Sequence, residues 1–170
     1  MISQHPAEFW IENLKMKPHP EGGFWSPAFR SKEVFKKESL PKRFNSDRNF
    51  YSSIYFLLRG NEFSALHRLS TDELWHFCAG CSLSLYTINP NGFVTVRQLG
   101  NDPELQESFQ FPVPAGNWMG AKPTMKDEYS LVICTLAPAF EEQDLEMGDR
   151  DELIKKFPQH EKLIVSLARE

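Results

Sequence analysis

Cysteine is scarce in this chain of 170 residues, with Cys78, Cys81 and Cys134 the only three. Three thiols make no disulfide scaffold, and a chain of this length buries roughly two-thirds of its unfolded surface without one. Long hydrophobic runs are also missing. The longest, Ile54-Tyr55-Phe56-Leu57-Leu58, falls far short of the ~20 residues that cross a bilayer. No charged-then-apolar leader precedes Trp10, so a soluble, cytoplasmic protein with no membrane partner is expected. Positive charge is not in excess: 19 Lys and Arg against 23 Asp and Glu leave a net charge of -4. That balance lacks the broad basic footprint of a nucleic-acid binder, and no nucleic-acid partner is expected. What the chain does have is 14 Phe, 4 Trp and 12 Pro, a mixture that favours strands with punctuated turns over a helical bundle.

Along the chain, one short N-terminal helix is predicted. Pro6 suits a first helical position, Phe9, Trp10 and Leu14 share a face, and Lys17-Pro18-His19-Pro20 stops it. From Gly22 to Ala137 no helical period persists. Short runs with turn punctuation recur instead, at about 24–29, 51–59, 62–69, 73–78, 81–89, 93–99, 108–113 and 128–137, the pattern of a sandwich or barrel. Asn89-Pro90-Asn91-Gly92 predicts a hairpin between the fifth and sixth of these. Residues 32–49 are polar, with six Lys or Arg against three Asp or Glu, and read as a long exposed loop. Asp149-Arg150-Asp151-Glu152 has the spacing of a capping box and starts a C-terminal helix that Pro158 interrupts. Leu163, Ile164 and Leu167 mark a second amphipathic segment. With no repeat or linker, residues 1–170 are read as a single domain, its barrel core at about 22–140 and its C-terminal helical segment at about 149–169.

The stretch from Gly60 to Gly80 carries His67, Glu73, Trp75 and His76. With Pro114-Ala115-Gly116-Asn117-Trp118-Met119 downstream and His19-Pro20-Glu21-Gly22-Gly23 upstream, it resembles the cupin superfamily. His67, Glu73 and Gly80 fall where the first cupin motif has its histidine, glutamate and closing glycine. The whole is similar to a small cupin branch that itself resembles sugar-nucleotide epimerases and plant ligand-binding cupins. The resemblance implies an all-β double-stranded β-helix, a jelly-roll-like barrel with short N- and C-terminal helices. It also shows two departures. Leu69 stands where a metal-binding cupin has its second histidine and Met119 where it has its last, which leaves His67 and Glu73 as a two-ligand remnant. Two ligands rarely hold a catalytic Zn, Fe or Mn, so no metal and no other cofactor is expected. His76 has the wrong strand parity to stand in beside Glu73 unless a bulge intervenes.

A pocket of aromatic rings with a few polar groups remains. Strand alternation puts Glu73, Trp75 and Phe77 on one face, which the resemblance makes the barrel interior. A buried Glu73 is either a carboxylate paired with Arg30, Arg68 or a backbone donor, or an acid or base tuned by burial. His67 is either the base that the epimerase-like cupins use beside a carbonyl or an inert histidine bonded to Glu73. Cys78-Ala79-Gly80-Cys81 straddles a turn between strands and reads as structural, and Cys134 as a buried core thiol. Glu21-Gly22-Gly23 reads as a tight turn feeding a strand, with Glu21 toward the pocket mouth.

Two functions are open. One is a metal-independent isomerase, epimerase or related lyase on a small carbonyl-containing, sugar-like substrate, with His67 as base, Glu73 orienting it or returning a proton, and Arg30, or less well Lys122, facing the oxyanion. The other is a cupin that binds a small ligand without converting it. Both place Glu21, Tyr55, Trp75, His76 and Trp118 around a sugar-like or anionic ligand. A homodimer is expected, because sheet edges need cover and the segment around Phe9, Trp10, Phe24 and Trp25 offers apolar area.

Overall fold

Alternation of large apolar with polar or small side chains dictates paired strands through the middle of the chain, and the structure forms them there. The structure is a computed structural model and describes residues 5–169. In chain order the elements are α1 (Ala7–Asn13), β1 (Lys17–Pro18), β2 (Phe24–Arg30), β3 (Val34–Phe35), β4 (Arg48–Asn49) and β5 (Ser52–Arg59). Next come β6 (Ser64–Leu69), β7 (Glu73–Gly80), β8 (Leu83–Ile88), β9 (Val94–Leu99), β10 (Gln110–Val113) and β11 (Trp118–Pro123). The chain ends with β12 (Tyr129–Leu136), β13 (Leu145–Met147), α2 (Arg150–Lys156) and α3 (Glu161–Leu167). Two sheets face each other. One has the strand order β1-β2-β5-β12-β7-β10 and the other β13-β6-β11-β8-β9, every listed neighbour antiparallel. This is the all-β, two-sheet, jelly-roll-like architecture with short terminal helices that the resemblance implies.

Strand parity sorts the side chains into three packed layers. Between the sheets lie Phe56, Leu69, Trp75, Leu85, Met119 and Val132. On the outer face of the first sheet, α1 covers Leu57, Tyr129 and Leu131, with Trp10 and Tyr55 packed alongside. On the outer face of the second, α2 and α3 cover Leu66, Ile88 and Trp118. Neighbouring residues thus serve opposite layers: Leu57 faces α1 while Phe56 and Leu58 fill the interior, and Leu66 faces α3 while His67 points inward.

The hairpin forms as expected. β8 pairs with β9 from Leu83↔Leu99 to Ile88↔Val94, and the Asn89 side chain accepts from the N–H groups of Asn91 and Phe93 at 3.0 and 2.9 Å. Asp149 caps α2 by accepting from Glu152 N–H at 2.9 Å. Residues 32–49 are mostly exposed, as read in the sequence, but they are anchored and not a free loop. β3 and β4 pair with each other, and Phe44 and Arg48 are buried. The Arg48 guanidinium donates to Asp144 Oδ1 at 2.9 Å with both side chains out of solvent. A single Phe and a single Arg anchor the segment, too sparse a pattern to register as a hydrophobic period. β11 was missing from the sequence reading because Gly120, Ala121, Lys122 and Pro123 carry no β-branched or aromatic signature, although β11 pairs with both β6 and β8.

Candidate functional site

The segment between β1 and β2 turns sharply. Gly22 has φ +123 and Gly23 φ +66, and a Cβ on Gly22 would stand 2.1 Å from the Phe63 carbonyl oxygen, so only glycine fits. Within the turn, Gly22 N–H donates to the His19 carbonyl at 3.0 Å and His19 N–H to the Gly23 carbonyl at 2.9 Å. Ala65 N–H, at the start of β6, donates to the Glu21 carbonyl at 2.8 Å. The turn is thereby fixed to the strand that carries His67, and Glu21 is directed into the barrel.

Glu21, His67 and Glu73 are all buried. His67 Nδ1 lies 2.8 Å from the Ala65 carbonyl oxygen, which only accepts, so the ring proton sits on Nδ1. Its Nε2 faces Glu21 Oε2 at 3.4 Å. The same carboxyl oxygen accepts from Ser64 Oγ at 3.2 Å. Glu21 N–H donates to His19 Nδ1 at 3.2 Å, which places the proton of that imidazole on Nε2. Across the barrel, Trp75 Nε1–H donates to Glu73 Oε2 at 2.8 Å.

Burial dominates the ionisation of this group. It pushes Glu21 up to about 8, against the smaller opposing effects of Ser64 and of Arg169 behind it. Glu73 is pushed up to about 7 by burial, offset in part by His67, with the Glu21 charge adding to the rise. Burial lowers His19 to about 4, with His67 adding to the shift, and it lowers His67 as well. Near neutral pH the cluster therefore holds neutral imidazoles beside carboxyls that keep their protons or share them.

Glu21 and Glu73 line a cavity of about 520 Å3 between the sheets, together with Trp25, Phe56, Trp75 and Leu136. Phe56 meets Trp75 edge to face with ring centroids 5.9 Å apart, and His19 meets Phe56 in the same way at 5.3 Å. Phe29 and Arg30 stand at the exposed mouth. Arg30 is held there by three bonds: Nε donates to Asn49 Oδ1 at 2.9 Å, one terminal nitrogen to the Phe140 carbonyl at 2.9 Å, and the other to the Glu141 carboxylate.

Of the residues singled out in the sequence, the cavity brings together Glu21, Arg30, Glu73 and Trp75. Glu21 stands at its buried end, not at the mouth. His67 is shut off behind Glu21. Tyr55 lies outside, on the α1 face of the first sheet. Trp118 also lies outside, under α2 and α3 with the Arg68 guanidinium 4.7 Å from its ring centroid. His76 has the opposite parity to Glu73. The bulge that would have redirected it falls later in β7, between the pairs Phe77↔Val132 and Ala79↔Leu131. Trp25, assigned from sequence to a dimer face, lines the cavity. His19 and Phe56 were missed. His19-x-Glu21 has the two-residue spacing that puts both side chains on one face of an extended segment, which was the available signal. Nothing in the Phe56 position distinguished its ring from Leu58.

The donor set does not fit a metal ion. Leu69 and Met119 both point inward as apolar groups, and among the described residues no three His, Cys, Asp or Glu side chains converge in a way that holds one. No described helix is long and apolar enough to cross a membrane.

Residues 8–148 match the family described as "Cupin superfamily (DUF985)". A protein of Shewanella oneidensis is 38% identical over 98% of this chain and 99% of its own, with a TM-score of 0.88. A hypothetical protein from Leishmania major is 34% identical over 98% of this chain and 100% of its own, also with a TM-score of 0.88. A cupin 2 domain-containing protein from Halorhodospira halophila shares the fold at 10% identity, with a TM-score of 0.57 over 91% of this chain and 88% of its own. No protein of curated function matches the sequence. With the family match running from α1 through β13 and the same fold in two relatives above 30% identity, the chain belongs to the cupin superfamily, in the family designated DUF985.

Proposed function

We propose that the cavity catalyses proton transfer at a carbon next to a carbonyl, as an isomerase, epimerase or related lyase does, without a metal. The observation that carries this reading is the pair of buried carboxyls, Glu21 and Glu73, at the end of an enclosed cavity, with ordinary carboxylate acidity suppressed in both. Such chemistry needs a base and an acid near neutrality and a site that keeps water out. Glu73 is the more acidic of the two. As the carboxylate it takes the C–H proton, while the protonated Glu21 donates a hydrogen bond to the carbonyl oxygen that becomes the enediol oxygen. Delivery of a proton to the opposite face of the same carbon completes epimerisation; delivery to the neighbouring carbon, with Glu21 giving its proton to the former carbonyl oxygen and taking one back from the other oxygen, completes isomerisation, in both cases with no net change in atoms. Glu21 has one proton to donate, which faces His67 Nε2 in the free protein and the substrate carbonyl oxygen in the complex, so His67 is a positioning residue and not the base.

Solvent-deuterium exchange tests the reading, with aldoses, ketoses and aromatic α-hydroxyketones incubated with the protein in heavy water and their carbon-bound protons followed by NMR. Exchange is expected in wild type and in Cys78→Ala, with loss of at least 100-fold in Glu73→Gln and a smaller, pH-shifted loss in His67→Ala. Equal exchange in wild type and Glu73→Gln would overturn it. The apolar walls favour a second reading, a module that holds a ligand unchanged. A compound that stabilises the protein and is recovered with no deuterium incorporated would decide for that reading.

A further inference from the structure

From the lining of the cavity and the ion pairing of its one cationic side chain with Glu141, we infer that the substrate is an uncharged carbonyl compound with an apolar body, and not a phosphorylated or carboxylated one. This inference rests on the proton-transfer reading above and narrows its substrate class.

Three observations converge. First, the lining of the cavity is largely apolar. Beside Glu21, Glu73, His19, Arg30 and two serines, its walls are Trp25, Pro27, Ile54, Phe56, Trp75 and Leu136. A polyhydroxylated sugar ring seated there would lose its hydration along its whole length with few partners to replace it. A ring or alkyl body would lose nothing and would gain burial.

Second, the cavity has no spare positive charge. Arg30 is the only Lys or Arg among the described residues that line it. Three of its five guanidinium N–H donors are used, by Asn49, the Phe140 carbonyl and the Glu141 carboxylate, and the last of these offsets its charge. A phosphate or carboxylate arriving at the mouth would compete with Glu141 for that charge and would meet Glu142, which also lines the cavity. None of the basic side chains of residues 32–49 lines the cavity. Arg48 is paired with Asp144 and Lys36 with Asp47. Anion sites are normally built the other way, with a bidentate arginine left open toward the ligand.

Third, the buried end suits a neutral head group. A carboxyl that has kept its proton is a hydrogen-bond donor for a carbonyl oxygen, and its ionised partner accepts from a hydroxyl. The His19 imidazole, with its proton on Nε2, is a further neutral donor beside them. An anion brought against the carboxyls would be desolvated with no counter-charge.

The test is a matched set with one phenyl body: 2-hydroxyacetophenone, benzoylformate and benzyltrimethylammonium, titrated against the full chain by calorimetry and by quenching of tryptophan fluorescence. 2-Hydroxyacetophenone is expected to bind at least tenfold more tightly than either ion. Glu141→Gln, which removes the negative charge opposing Arg30 while keeping an isosteric side chain, should tighten benzoylformate several-fold. Arg30→Met should weaken it further by leaving Glu141 uncompensated. Equal or tighter binding of benzoylformate by wild type, preference for benzyltrimethylammonium, binding of none of the three, or a Glu141→Gln variant with unchanged anion affinity would each overturn the inference. The readout is binding, so the two readings fail separately. Tight 2-hydroxyacetophenone without deuterium incorporation leaves the ligand class standing and removes the catalysis. Exchange confined to sugar phosphates does the reverse.

Discussion

Glu21 and Glu73 place two acidic groups where water cannot solvate their charge, and this sets how the protein responds to pH. Between its ordinary value of 4.5 and about 8, Glu21 holds in the folded chain a proton that the unfolded chain has released, and Glu73 does the same up to about 7. Their contribution is full below the ordinary value and is lost as pH rises through the folded one. His19 works in the opposite sense. It is neutral when folded down to about 4, so its contribution grows as pH rises from about 4 to 6.5, and His67, also shifted down, adds to that gain up to 6.5. The opposing slopes offset each other below pH 6.5, and above it only the carboxyl slopes remain. Urea unfolding is therefore expected to show greatest stability near pH 6, with a loss of roughly 2 kcal/mol by pH 8. The loss should shrink in Glu73→Gln and more so in Glu21→Gln, whereas a decline of unchanged size in Glu21→Gln would contradict the assignment. Glu73 and Trp75 were legible as a same-face pair because a strand alternates with period two. That His67 is enclosed behind Glu21 was not legible, because it depends on a glycine turn some forty positions away being fastened to β6 through Ala65.

At the scale of elements, most strands could be read from local alternation and turn chemistry. Those that could not are β1 and β13, which are only two and three residues long, β11, whose small residues show no pattern, and the β3–β4 pair, which is held from outside. The Arg48–Asp144 pair ties the 32–49 segment to the chain that runs into β13. Removing one partner leaves the other charge buried and unpaired, so Asp144→Ala is expected to cost about 3–5 kcal/mol, measured by urea unfolding. A cost below about 1 kcal/mol would mean that the segment is held by Phe44 alone. Asp149→Ala removes the N-cap of α2 and should cost about 1 kcal/mol. That loss should stay local, because α2 and α3 pack on the outer face of the second sheet and not on the cavity.

For the whole molecule, the two sheets leave an open mouth beside a strip of exposed rings. Phe29 stacks on Tyr51 and Phe35 on Phe50, with centroids 5.2 and 4.1 Å apart. The apolar segment first assigned to a partner is largely spent inside: Trp10 donates to the Tyr129 hydroxyl at 2.7 Å, and Trp25 lines the cavity. If the homodimer expected from the sequence forms, this strip is one apolar surface available to it. Light scattering should then give twice the 19.7 kDa of one chain, falling to the monomer in Phe29→Ser/Phe35→Ser, whereas a monomeric wild type at micromolar concentration would end that expectation. The central claim concerns the interior, that the barrel encloses two carboxyls which hold protons near neutrality. The direct measurement is 13C NMR of the glutamate side-chain carboxyls through a pH titration of the labelled protein. Two resonances are expected to titrate with apparent midpoints near 7 and 8, the upper one absent in Glu21→Gln and the lower one absent in Glu73→Gln. A spectrum in which every glutamate titrates between about 3.5 and 5 would contradict the account.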